Sequence, residues 1–118
     1  MRVIAVEEHF VTPAFVEGPG KGFLDRFKNS GPRGALIADR LFEMGDKRVA
    51  EMDAAGIDMM VLSLNSPGVE QMEAADAVPC ARDANDFLAA AIKRGYRNSL
   101  SSMIGNDAAT ITAESWPG

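Results

Sequence analysis

A chain of 118 residues fits one domain at most, and 47% hydrophobic content is enough to build a core, which excludes disorder throughout. A net charge of −5 lacks the basic footprint of nonspecific nucleic-acid binding. No apolar run approaches the roughly 20 residues a membrane helix needs, so neither nucleic acid nor membrane is expected as a partner.

The first predicted element is a strand over Val3–Val6, a continuous apolar and β-branched run of the kind covered on both faces in a parallel sheet. It runs into Glu7, Glu8 and His9, the single histidine, and Thr12-Pro13 ends it. The acids arriving at position 7 leave no signal-peptide pattern. Residues 13–45 read as a long loop, with one short helical face at Phe23, Leu24 and Phe27 closed by Asn29-Ser30-Gly31-Pro32. Leu41-Phe42 adds a small apolar patch.

A helix is predicted over Asp46–Ala55, with Asp46 as N-cap, Val49 and Met52 at helical spacing, and Gly56 closing it. A second buried strand follows at Met59–Leu64, stopped by Asn65-Ser66-Pro67-Gly68. A long helix over Ala74–Arg94 carries the apolar stripe Val78, Ala81, Leu88 and Ile92, with Pro79 in its first turn or kinking its start and Gly95 at its end. "SLSSMIGN" offers a short third strand, and Met44, Met52, Met59, Met60 and Met72 read as core filler. Cys80, the one cysteine, reads as a packing residue; it permits no intrachain disulfide and fits a reducing, cytoplasmic setting. Asp83 and Asp86 read as solvated helix charges.

Strands alternating with helices imply an α/β fold with parallel strands. Strand alternation places Glu7 and His9 on one face and Glu8 on the other. A carboxylate and an imidazole together at a strand end read in two ways: half of a divalent-metal site, or a surface ion pair. Asn65, at the end of the second strand, is open between a substrate-facing residue and an ordinary turn residue.

"VEEHF" followed by "TP", then "R…MDAAGID", "VLSLNSPGV" and "ARDANDFLA", resembles the start of the amidohydrolase-related family, in the branch of the γ-resorcylate and aminocarboxymuconate semialdehyde decarboxylases. The resemblance runs in order from Val3 to Ala91 and breaks in the segment 13–45. It implies that residues 1–118 are a partial domain: the N-terminal portion of a metal-dependent hydrolase-type (β/α)8 (TIM) barrel, incomplete in this chain, since a full barrel takes roughly 250 residues. It implies one divalent metal, zinc or manganese, with Glu7 and His9 among its ligands and Glu8 outside the set. It implies nonoxidative decarboxylation of small aromatic or unsaturated carboxylic acids, although some relatives are hydrolases. The remaining ligands and the proton-handling histidine match no position here, and the stretch after Arg97 follows the family pattern loosely, as truncation or a shifted frame would produce. The 118 residues alone are therefore expected to be inactive and to hold metal weakly. The rival expectations are a noncatalytic remnant that self-associates as a homo-oligomer, and part of a hydrolase of the same superfamily.

Overall fold

The structure is a computed structural model in which residues 1–65, 68–94 and 100–102 are described. Strand β1 (Ile4–Phe10) is followed by three helices, α1 (Pro13–Glu17), α2 (Phe23–Lys28) and α3 (Pro32–Phe42). Then come α4 (Asp46–Ala55), β2 (Met59–Leu64), α5 (Ala74–Lys93) and β3 (Leu100–Ser102). Among the described residues the strands form one parallel sheet in the order β1-β2-β3. Parallel strands need crossover connections, which α4 and α5 supply, and all three carboxyl ends therefore lie along the same margin of the sheet.

The segment 13–45, expected as a long loop, is helical over most of its length. Thr12 does more than stop the strand. Its Oγ1 accepts the N–H of Phe15 at 3.1 Å, capping α1 with Pro13 in the first helical turn. Helix α3 begins at Gly31-Pro32 and buries Gly34, Ala38 and Leu41, spaced four and three apart. Gly34 is the reason this helix is hard to see in sequence, because glycine weakens a helix interior. Here a Cβ at position 34 would run into the Phe27 carbonyl and the Ser30 hydroxyl, so the close approach of α3 to α2 requires glycine.

Helix α4 has the expected span, but Asp46 is its first residue and Gly45 its N-cap, without a side-chain cap. An acidic residue inside the first turn still suits the positive end of the helix dipole. Gly56 closes α4 at a φ of 69°, and its N–H reaches the Asp53 carbonyl at 3.1 Å. Helix α5 runs through Pro79, which lies beyond the first turn and costs one intrahelical hydrogen bond. Its buried residues are Ala84, Leu88 and Ala91, with Ala81 and Ile92 packed alongside; Val78 is 44% exposed and lies outside the stripe predicted for it. The readings of Ser66-Pro67, Gly95 and the stretch after Arg97 lie outside the described residues, except for β3 at 100–102.

One face of the sheet makes the core. Met60, Leu62 and Leu64 of β2 join Phe10 of β1 beneath Ala84, Leu88 and Ala91 of α5, and the rings of Phe10 and Phe87 stack with centroids 6.5 Å apart. Met44, Met52, Met59 and Met60 are buried as expected; Met72 is half-buried. The expectation that β1 is covered on both faces fails. Val3, Ile4 and Val6 are 44%, 48% and 65% exposed, because the described helices pack against only one side of β1.

Candidate metal centre

The pairing of β1 with β2 sets the candidate site. Ala5 lies across from Met60 and Glu8 from Leu62, so Val6 and Glu7 together face the single residue Val61. This is a β-bulge, and Glu7 carries it with a φ of 61°, the one left-handed non-glycine backbone among the described residues. Such a conformation costs a residue with a Cβ about 1–2 kcal/mol.

The register then sorts the side chains. Ala5, Glu8 and Phe10 share the helix-covered face with Met60, Leu62 and Leu64, while Ile4, Val6 and His9 lie on the open face with Val61 and Ser63. Glu7 and His9 are both exposed; Glu8 is half-buried. Simple alternation expects Ile4 and Val6 to share the face of Glu8. The extra residue reverses that relation and returns the strand to regular pairing from Glu8 onward.

His9 lies directly across from Ser63, and its Nδ1 is 3.0 Å from the Ser63 Oγ. A histidine that ligates a metal usually engages its second ring nitrogen in this way, which fixes tautomer and ring orientation. The contact occupies Nδ1 and leaves Nε2 for a ligand. A carboxylate and an imidazole are donors that zinc and manganese both accept, so the two residues fit as part of a ligand set. Among the described residues, no group of three or more His, Cys, Asp or Glu side chains converges tightly enough to hold a metal ion.

Behind the open face, Glu8 lines a cleft of about 420 Å³ between β1, α3 and α4, together with Arg40, Glu43, Arg48 and Glu51. Burial pulls the half-buried Arg48 guanidinium below its ordinary value, while the carboxylates of Glu8, Glu43 and Glu51 act in the opposite sense. Its Nη2 donates to the carbonyl oxygens of His9 at 3.1 Å and Arg40 at 2.8 Å. Asn65 stands beside the site at the end of β2. Its N–H extends the β1–β2 pairing by donating to the Phe10 carbonyl, and its own carbonyl accepts from the Gly68 N–H, each at 2.9 Å. Cys80 is half-buried against the core on α5, remote in sequence and element from this margin; burial and Asp83 push its thiol up.

Sequence reasoning missed Ser63 and Arg48. A serine inside the apolar run "MMVLSL" was the available signal for the first. Nothing in the sequence predicted that a helix arginine would reach a strand carbonyl.

A sheet of parallel strands with crossover helices is a portion of an amidohydrolase-type (β/α)8 barrel, as solved structures bear out. The chain superposes on the 5-carboxyvanillate decarboxylase of Novosphingobium aromaticivorans, solved with manganese and 4-hydroxy-3-methoxy-5-nitrobenzoic acid, with a TM-score of 0.70. That match has 35% identity and covers 91% of this chain and 34% of that one. The dihydroxybenzoic acid decarboxylase of Polaromonas sp. JS666, solved with manganese and 2-nitroresorcinol, gives a TM-score of 0.67 at 32% identity, covering 89% of this chain and 30% of that one. In sequence the chain is 38% identical over 89 residues to the γ-resorcylate decarboxylase of Rhizobium radiobacter, covering 73% of this chain. No protein-family model matches. The chain is thus a homologue of the γ-resorcylate decarboxylases and spans about a quarter (25%) of the length of the curated relatives it matches. No described helix is long and apolar enough to cross a membrane.

Proposed function

We propose that this chain supplies the Glu7–His9 part of the divalent-metal centre of a decarboxylase acting on small aromatic carboxylic acids. The observation that carries the reading is the bulged β1, where Glu7 is exposed on a left-handed backbone and the exposed His9 meets Ser63 through one ring nitrogen, which leaves the other for a ligand. The manganese and aromatic acids in homologous decarboxylases support it. Zinc shares the same donor preference and is the alternative ion.

Glu7 and His9 would hold the ion; the tautomer that carries its proton on Nδ1, facing Ser63, would present the Nε2 lone pair to it. Bound there, the metal would act as a Lewis acid and template for a substrate carboxylate and its neighbouring oxygen. Asn65, at the adjoining end of β2, would be the residue that meets the substrate. Two ligands are fewer than the three protein ligands of a typical catalytic zinc site, so the 118 residues alone are expected to bind the ion weakly and to turn nothing over.

As the single histidine, His9 gives one unambiguous set of imidazole signals in NMR. Titrated Mn²⁺ should broaden those signals in the wild-type chain, and His9→Ala should lose the measured affinity. Unbroadened ring signals at saturating Mn²⁺, or equal binding by the alanine variant, reject the site. Carbon dioxide release from dihydroxybenzoates above a metal-only blank rejects the view that these residues form only part of a centre.

A further inference from the structure

We infer that Arg48 is a positioning residue for His9, an inference that rests on the metal-site reading above. The Phe10 carbonyl faces β2, where it accepts the Asn65 N–H at 2.9 Å. Successive carbonyls of a strand alternate in direction, so the His9 carbonyl faces away from β2, toward the side of β1 where no described strand pairs. Among the described residues, the donor to that carbonyl comes from outside the sheet.

Arg48 provides it. One nitrogen, Nη2, reaches the His9 carbonyl at 3.1 Å and the Arg40 carbonyl at 2.8 Å. Arg40 lies in the last turn of α3, where its carbonyl also accepts the Glu43 N–H at 3.2 Å. The next carbonyl, that of Leu41, accepts the N–H of Val11 at 3.0 Å. The end of α3 and the end of β1 are therefore joined twice, once directly and once through Arg48. The His9 backbone is held on one side by Arg48, and its ring is held on the β2 side by Ser63 at 3.0 Å. The guanidinium has the planar spread of donors for two carbonyls, whereas a lysine ammonium is a point charge on a flexible stem.

The test compares Arg48→Ala and Arg48→Lys with wild type, using circular dichroism to confirm folding. The first readout needs no metal. At mildly alkaline pH the ring ¹⁵N shifts of His9 should be well separated in wild type, reporting one tautomer, and should converge in both variants. The second is the Mn²⁺ concentration that half-broadens the His9 signals, expected to rise about 10- to 100-fold in both variants. Lysine should preserve the fold without restoring either readout. Arg48→Lys with wild-type ring shifts overturns the inference, because a charge among carboxylates would then suffice. If wild type itself shows no Mn²⁺ broadening, the metal reading falls while the ring shifts still decide whether Arg48 positions His9.

Discussion

The left-handed backbone at Glu7 makes a prediction in which stability and metal binding separate. Glu7→Ala removes the carboxylate and keeps a Cβ at a φ of 61°. Glu7→Gly removes the carboxylate and the steric conflict together. The conflict is worth about 1–2 kcal/mol. Glycine gives back about 0.5–1 kcal/mol through the greater freedom of its unfolded chain. The difference leaves the glycine variant about 0.5–1 kcal/mol more stable than the alanine variant. For a domain of this size that is a rise of roughly 2–5 °C in melting temperature. Thermal melts followed by circular dichroism, with both variants in one buffer, measure it directly. A glycine variant that melts at or below the alanine variant refutes the strain argument. Both variants should lose Mn²⁺ affinity to the same degree; retention by either would remove Glu7 from the ligand set.

Leu88→Ala, at a fully buried position on α5, should cost about 2–5 kcal/mol through lost burial and a cavity, read as a lower urea midpoint. Gly56→Ala meets no neighbouring atom but keeps a φ of 69°, so it should cost about 1 kcal/mol from backbone conformation alone, seen as a midpoint shift at constant denaturant slope. The raised Cys80 thiol means that the folded chain holds this proton more tightly than the unfolded one. Its contribution is present below the ordinary thiol value of 9.0 and lost as pH rises through the higher folded value. Cys80→Ser should therefore flatten the alkaline decline in stability, and an unchanged pH profile would contradict the direction of the shift.

Much of the fold is legible because its signals are local. The boundaries of β2 and α4 follow from an apolar run, a left-handed glycine and a turn-forming cluster, all of which act within a few residues. The helices within 13–45 were harder for a specific reason. In α3 the residue that argues against a helix, Gly34, is the residue that lets it pack on α2. Val78 shows the converse: its spacing fits the stripe of α5, but Ala81 and Ala84 occupy the buried path and Val78 falls outside it. The exposure of Val3, Ile4 and Val6 was invisible because an apolar run reports what could be covered, not which faces are.

At the candidate site, the separation of His9 from Glu8 was readable from alternation, but the bulge that precedes them was not. A bulge is a property of two strands, visible only when the register skips from Ala5–Met60 to Glu8–Leu62. The same holds for Ser63, which matters because it faces His9, and for Arg48, which matters because a strand carbonyl faces away from β2. These features bear on one another. A glycine would occupy position 7 more comfortably than glutamate, so the backbone alone gives no reason for a carboxylate there. The adjoining His9 is meanwhile held from both sides, through its carbonyl and its ring. Strain accepted at one residue and constraint applied two residues later have a common explanation if both side chains serve one ligand.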